Sequence, residues 1–223
     1  NLIKFKNPFI KYNINNSKLY STRLGHYNLQ NDGMNSDLFF FMNSSLSSND
    51  IICEYNSYKQ LKELKSKNFS ILNSSFIFSK NYLFLKKKIL FKKNKLSQLE
   101  FNFFKKNVKE YNHLKRKNYI FLKANNIKIF LTWAKYTKDH MAAYEAIKEL
   151  GGIFAIWQYA FEGTPSCTTQ INTDIYFSNY SKNFFYKNNS NIKLFINTGF
   201  IMDYRFNLLK EKAKIIRNKL LNN

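Results

Sequence analysis

The clearest chemistry that this sequence offers is phosphate binding, and it is concentrated in residues 86–118. The stretch is rich in Lys, contains no Gly or Pro, and mixes its cations with Leu, Phe, Val and Tyr. Lys and Arg bind nucleic acids mainly through phosphates. A solvated charged surface is the alternative interpretation, but the charge density favours contact with RNA. The candidate RNA-binding residues are Lys86, Lys87, Lys88, Lys92, Lys93, Lys105, Lys106, Lys109, Lys115, Arg116 and Lys117.

Patterns typical of catalysis or metal binding do not stand out beside this basic stretch. His26, His113 and His140 occur in unlike contexts, none of them in an H-E-x-x-H pattern or near a C-x-x-C pair. Neither a glycine-rich phosphate loop nor a G-x-S-x-G nucleophile turn is present. Asp139 and Glu145 are six positions apart and would not face each other on a helix. We therefore predict no enzyme, no metal, no cofactor and no small-molecule substrate.

Composition and charge indicate the class of partner. The chain has 36 Lys and Arg residues against 14 Asp and Glu residues, a net charge of +22. Lys outnumbers Arg 32 to 4, and Asn also occurs 32 times, which indicates a genome rich in A and T, as in organelles or some protists. Codon bias does not explain the shortage of acids. A polyanionic partner would explain the shortage of acidic residues. Nucleic acid is the first candidate for this partner and an anionic membrane surface is the second.

Length and hydropathy predict one large domain, or a domain with an extension. No apolar run approaches the roughly 20 residues of a membrane span, so we expect no transmembrane segment. The aromatic content of 18% would suit base stacking, but it suits an ordinary core better. Two cysteines, Cys53 and Cys167, predict buried free thiols rather than a disulfide framework.

One stretch predicts a strand–helix–strand unit. The run NIKIFLTW (126–133) is typical of a buried strand, and GIFAIWQY (152–159) is a second one. Between them Thr137 can cap a helix over 138–150, and Gly151 suits the left-handed residue that ends it. Two continuous apolar strands that flank a helix predict a βαβ unit with parallel strands and a right-handed crossover.

The remaining elements are organised around this unit. We predict an extended N-terminal arm over 1–36 and a single α/β domain over 37–223, with 86–118 as a basic insertion, either a long helix or a helical hairpin. Other predicted elements are two short buried strands, or a strand and a turn, at 37–42 and 50–55, a helix at 57–69 and a strand at 74–80. A C-terminal helix should pack through a stripe formed by Met202, Phe206, Leu209, Ala213, Ile216 and Leu220. The fold class is α/β, a parallel sheet flanked by helices in a flavodoxin-like or Rossmann-like three-layer arrangement.

In such a fold, an active site would lie at the carboxyl ends of the parallel strands. The sequence offers Lys135, Tyr136, Tyr159 and Glu162 there, with no nucleophile–base pair and no glycine-rich turn. We expect this edge to be filled by side chains or covered by a neighbouring molecule.

Residues 126–163 resemble the last βαβ unit of the second protein of the bacterial-type small ribosomal subunit. That family has an H-x-A-x-x-E-A helix, a Leu-Gly turn and a following strand. The matching positions are His140, Ala142, Glu145, Ala146, Leu150, Gly151, Ala155 and Ile156. RLGHYNLQNDGM (23–34) is similar to the family's Gly-His element, and DIICEYNSYKQL (50–61) to a strand and its following helix. The basic stretch 86–118 falls where the family has a helical hairpin.

The resemblance extends in register over roughly residues 20–215, with some departures. INTDIYFSNYS (171–181) and NIKLFINTGFIMD (191–203) are similar to the family's closing loop and final helix. The family's D-T-N is replaced here by residues 158–160, its I-P-G-N-D loop is reduced to 176–179, and its G-T-K survives only as FSK (78–80). These departures put particular RNA or protein contacts in doubt.

The resemblance implies a structural protein of an organellar small ribosomal subunit. Its partners would be small-subunit ribosomal RNA and neighbouring ribosomal proteins, and its location the mitochondrial ribosome in the matrix, with a plastid ribosome as the alternative. Two other hypotheses stay open. One is a basic accessory subunit of an organellar inner-membrane complex, and the other is a degenerate α/β enzyme.

Overall fold

The core of the protein is one parallel β-sheet. The computed structural model describes residues 18–21, 45–55, 57–73, 96–159, 166–179, 189–200 and 204–221. Within these ranges seven strands form a single sheet. They are β1 (Lys18–Ser21), β2 (Ile51–Tyr55), β3 (Ser70–Asn73), β4 (Ile127–Thr132), β5 (Ile153–Trp157), β6 (Asn172–Ser178) and β7 (Asn191–Asn197).

The strand order in the sheet is β3-β2-β1-β4-β5-β6-β7, and every neighbouring pair is parallel. From β1 the chain adds β2 and β3 toward one edge of the sheet. From β4 it adds β5, β6 and β7 toward the other edge. The direction of winding therefore reverses between β1 and β4, the position at which open α/β sheets form a crevice. The predicted fold class, a parallel sheet flanked by helices, is confirmed.

Four α-helices accompany the sheet in the described part of the chain. They are α1 (Tyr58–Ser66), α2 (Gln98–Ala124), α3 (Lys138–Glu149) and α4 (Tyr204–Leu221). Short 3-10 turns lie at Ser48–Asp50 and Cys167–Thr169.

The helix termini follow from their local sequences. Ser97 caps α2 in a reciprocal box, in which the Ser97 backbone N–H donates to the Glu100 carboxylate at 2.8 Å. Beyond the C-terminal ends of α1, α2 and α3, a left-handed residue turns the chain: Asn68, Asn126 and Gly151, with φ of 59°, 47° and 69°. After Gly, Asn is the residue that best tolerates this conformation. In this Asn-rich chain, Asn occupies the position at two of the three helix ends.

The predicted βαβ unit is confirmed. Strands β4 and β5 are adjacent and parallel with Ile129 opposite Ile153, and α3 lies between them in the chain. Thr137 caps α3 together with His140, whose backbone N–H donates to the Thr137 hydroxyl at 3.5 Å. The His that takes part in the family resemblance therefore has a structural role at the start of this helix.

Small residues allow α3 to lie close to the sheet. Ala142 and Ala146 are fully buried. At Gly152 an added Cβ would lie 2.8 Å from the Ile147 side chain and 2.8 Å from the Lys128 carbonyl oxygen. The turn from α3 into β5 thus has no room for a side chain at Gly152. Such close packing explains why this stretch departs from the Lys- and Asn-rich composition around it.

Alternation along the central strands gives the sheet two apolar faces. On β5, Phe154 and Ile156 contribute to the larger core cluster together with Phe121 of α2 and Ile147 of α3. Ala155 and Trp157 face the opposite side and form a second cluster with Leu131 of β4. Burial on both faces is typical of parallel sheets.

The structure corrects the predicted N-terminal arm. Residues 18–21 lie inside the segment predicted as an extended arm over 1–36, but they form β1 at the centre of the sheet. The rest of that arm lies outside the described residues. Strand β3 follows α1 directly at residues 70–73, whereas the predicted strands at 37–42 and 74–80 lie outside the described residues.

Three further expectations about the second half were wrong. The segments likened to a closing loop and a final helix, 171–181 and 191–203, contain strands β6 and β7. Cys167 is exposed rather than buried, although it is free, as predicted; Cys53 is a buried free thiol. The C-terminal helix exists, but its side chains from Lys210 to Leu221 are exposed instead of packed.

The predicted helical insertion is not confirmed as a hairpin. Its described portion belongs to one continuous helix, α2, which connects β3 to β4 and continues six residues beyond the predicted end at 118. Residues 86–95 lie outside the described part of the chain.

Candidate nucleic-acid interface

Helix α2 is the element that carries the described candidate RNA-binding residues. It has 27 residues, which corresponds to a length of about 40 Å. Its C-terminal half packs on the domain, where Phe121 and Leu122 are buried. Its N-terminal half extends past the core, since Leu99 is 80% exposed and Phe103 63% exposed. The helix therefore presents much of its surface to other molecules.

Four exposed cations lie along one side of α2. Lys105, Lys109, Arg116 and Lys123 follow one another at intervals of four, seven and seven residues, which places them within about 40° around a helix of 3.6 residues per turn. We call this set the cationic ridge. It extends over about 27 Å at a rise of 1.5 Å per residue. This is a linear array of positive charge on the side of α2 away from Phe121.

Aromatic rings support the two terminal members of the cationic ridge. The Lys105 ammonium lies 5.9 Å from the centre of the Phe101 ring, and the Lys123 ammonium lies 5.8 Å from that of Tyr119. Such contacts are weak at an exposed site and restrict the side chain without removing its charge. Both ammonium groups thus stay available to an anion.

Three acidic groups on α2 and α3 form ion pairs with cations outside the cationic ridge. Glu110 of α2 pairs with Lys138 at the start of α3. This hydrogen bond and the charge of Lys138 lower the pKa of Glu110. Glu145 and Glu149 of α3 both pair with Lys115, at 2.7 and 2.6 Å.

Lys115 is therefore an interhelical clamp rather than part of the exposed surface. Burial alone would lower its pKa, but the hydrogen bonds and charges of Glu145 and Glu149 outweigh burial and raise it. Tyr111 contributes to the same contact: burial and a hydrogen bond with Glu145 raise the pKa of its phenol. Tyr111, Lys115 and Glu145 thus join α2 to α3 through polar groups.

The predicted RNA-binding residues separate into three groups. Lys105, Lys106, Lys109 and Arg116 are exposed, as a phosphate-binding surface requires. Lys115 forms an ion pair between helices and Lys117 is only 7% exposed, so both side chains contribute to packing within the protein instead of to its surface. The remaining five, Lys86, Lys87, Lys88, Lys92 and Lys93, lie outside the described residues.

Sequence reasoning missed Lys123. The predicted basic segment ended at 118, although the helix continues to Ala124. The spacing itself could have revealed Lys123, because it repeats the seven-residue interval from Lys109 to Arg116.

At the carboxyl ends of β4, β5 and β6, side chains contact one another in the described part of the sheet. The Lys135 ammonium donates to the Tyr176 hydroxyl at 2.9 Å. Trp133 stacks on Tyr159 with ring centres 5.0 Å apart. The buried Gln158 side chain accepts from the Ser178 hydroxyl at 2.7 Å. These contacts agree with the expectation that this edge is filled by side chains; Glu162 lies outside the described residues.

The described residues contain neither a cluster suited to a metal ion nor a helix suited to a membrane. No group of three or more His, Cys, Asp or Glu side chains is placed to hold a metal ion in the described part of the chain. None of the described helices is long and apolar enough to cross a membrane.

Comparison with protein families, curated proteins and solved structures found no match to this chain.

Proposed function

We propose that this protein is a structural constituent of an organellar small ribosomal subunit, in the mitochondrial matrix, and that it binds ribosomal RNA and neighbouring ribosomal proteins. The observation that carries the proposal is the cationic ridge of α2. A row of exposed cations suits binding to a phosphate backbone, and a net charge of +22 would supply the long-range attraction.

The roles of the side chains support a structural rather than a catalytic protein. His140 caps a helix, Glu145 pairs with Lys115, and Lys135 donates to Tyr176. Ionisable groups that could have served chemistry are thus engaged in contacts that hold helices and strands together. The protein would contribute a rigid α/β body that positions α2 against RNA.

Binding to RNA can be tested with the purified full chain and a double-stranded RNA. Replacing the ridge residues Lys105, Lys109, Arg116 and Lys123 by Gln should weaken binding and leave the fold intact, because all four side chains are exposed. If each contacts one phosphate, the plot of log affinity against log salt should become shallower by between about 3 and 4.

A charge-matched control exists on α1 and at its C-terminal end. Lys59, Lys62, Lys65 and Lys67 are also four exposed cations, and their replacement by Gln changes the net charge by the same amount. We expect this control to bind RNA nearly as the unmodified chain does. Equal losses in both variants would contradict a localised RNA-binding surface on α2.

Sedimentation tests the ribosomal assignment directly. In extracts of the source cells, the protein should sediment with the small ribosomal subunit and be released by RNase. Sedimentation with membranes, resistant to RNase and sensitive to detergent, would instead favour the accessory subunit of an inner-membrane complex.

A further inference from the structure

Helix α4 exposes apolar side chains over residues 210–221. The side chains from Lys210 to Leu221 are all exposed, including Ile216 at 50% and Leu220 at 73%, and Leu209 is half-buried. A helix with several exposed aliphatic side chains is an expected site of interaction.

The order of residue types around α4 is informative. Leu209, Ala213, Ile216 and Leu220 recur at intervals of four, three and four residues and so form one apolar stripe along the helix. Cations border this stripe on both sides. Lys212 and Lys219 lie along one border, and Lys210, Lys214 and Arg217 lie along the other.

We propose that α4 docks on an anionic lipid bilayer and lies in the plane of its surface. In this orientation the apolar stripe enters the boundary between headgroups and acyl chains. The long side chains of Lys and Arg on both borders then reach outward to the lipid phosphates. This inference goes beyond the proposed ribosomal function and does not depend on it.

Charge and chemistry favour a bilayer over two other occupants. RNA would pair with the cations but would leave Ile216 and Leu220 without an apolar partner. A second copy of this chain would bring a further net charge of +22 against the same cations. An anionic bilayer satisfies the apolar stripe and both cationic borders at once.

The test uses the full chain and vesicles of phosphatidylcholine in which one third of the lipid is phosphatidylglycerol. Any strongly basic protein adheres to such vesicles at low salt, so the measured quantity is the fraction that floats with them at high salt. We expect the unmodified chain to remain partly bound to these vesicles at high salt, and to bind vesicles of pure phosphatidylcholine more weakly at low salt, where the charge attraction contributes most.

Substitutions on α4 separate insertion from adhesion. Replacing Ile216 and Leu220 by Gln should reduce the salt-resistant partition coefficient at least about tenfold, because two aliphatic side chains no longer enter the bilayer. The matched comparison uses single substitutions: Ile215→Gln removes an aliphatic side chain outside the stripe that is about as exposed as Ile216, and it should lose less binding than Ile216→Gln.

Helix content by circular dichroism should be the same in all the α4 variants. The proposal is overturned if I216Q/L220Q floats at high salt as the unmodified chain does, or if I215Q loses as much binding as I216Q does. It is also overturned if I216Q/L220Q loses affinity for double-stranded RNA instead of for vesicles, since α4 would then be an RNA-binding surface. The α2 ridge variant should float with the vesicles at high salt as the unmodified chain does, because its α4 stripe is unchanged. This result would separate the lipid-binding site from the RNA-binding surface.

Discussion

Gly152 should be the glycine that is hardest to replace in the described part of this protein. A Cβ at this position would lie 2.8 Å from two carbons of Ile147 and 2.8 Å from the carbonyl oxygen of Lys128. Ile147 is fully buried, and the carbonyl belongs to the backbone of β4. Neither neighbour can move without displacing α3 or the central sheet.

The expected cost of Gly152→Ala follows from this crowding. Overpacking a close-packed core costs about 1–3 kcal/mol, and a rigid backbone neighbour favours the upper end. For a chain of this length, each kcal/mol lowers the midpoint of thermal unfolding by about 2–4 °C. We therefore expect a decrease of roughly 6–12 °C, measured by circular dichroism or calorimetry.

Gly151 provides the matched comparison. Its φ is 69°, but a Cβ there would meet no atom within 4 Å. The cost of Gly151→Ala is therefore conformational only, about 1–2 kcal/mol, and Gly151→Asn should be nearly neutral because Asn tolerates this region. Gly152→Asn, by contrast, should be as harmful as Gly152→Ala. The reasoning is refuted if Gly152→Ala unfolds at the same temperature as the unmodified protein, or if Asn rescues position 152 but not 151.

Two further predictions concern charged groups. Lys115→Gln should lower the free energy of unfolding, measured by urea denaturation, by about 1 kcal/mol, because Glu145 and Glu149 lose their shared cation. Arg116→Gln, on the exposed side of the helix, should change this free energy little. Equal effects of the two substitutions would contradict the role of Lys115 as a clamp. Asp174 tests pH dependence: burial alone would raise its pKa, but the Phe154 N–H, Lys193 and Lys148 outweigh burial and lower it. Since its folded pKa is depressed, its stabilising contribution is present above the unfolded value of about 3.9 and is lost as pH falls through the folded pKa. The stability difference between the unmodified protein and Asp174→Asn should therefore be constant near neutral pH and shrink in acid, and a difference that persists unchanged at pH ~2 would exclude the ionised carboxylate as its source.

The strand–helix–strand unit could be predicted because its signals are local. Thr137 and Gly151 mark the two ends of α3, and the flanking strands are continuous apolar runs. By contrast, β1 has only four residues, KLYS, and no periodicity that distinguishes it from the polar chain around it. Its place at the centre of the sheet comes from pairing with β2 and β4, which lie 30 and more than 100 residues away in the chain. Contacts of that kind cannot be inferred from a short pattern.

The candidate site shows the same division between local and long-range information. A basic surface was predictable from the density of Lys on one helix, but its individual members were not. Lys115, Arg116 and Lys117 are consecutive, yet each step along a helix turns the side chain by about 100°. Arg116 is exposed, whereas Lys115 reaches Glu145 across the interface with α3 and Lys117 is buried. Which cations are exposed is decided by a partner helix whose position the local sequence does not reveal.

The two sides of α2 together favour a position inside an assembly. Leu99 and Phe103 continue, one turn after another, the face on which Phe121 packs against the domain, but they lie beyond the core and are exposed. The opposite side carries the cationic ridge. Exposed Leu and Phe side chains on the side of a helix opposite a row of cations do not stabilise a freely diffusing protein, and they are typical of an interaction surface. A helix held between an apolar protein surface and an RNA backbone would use both sides, in agreement with the proposed place of this protein in a ribonucleoprotein particle.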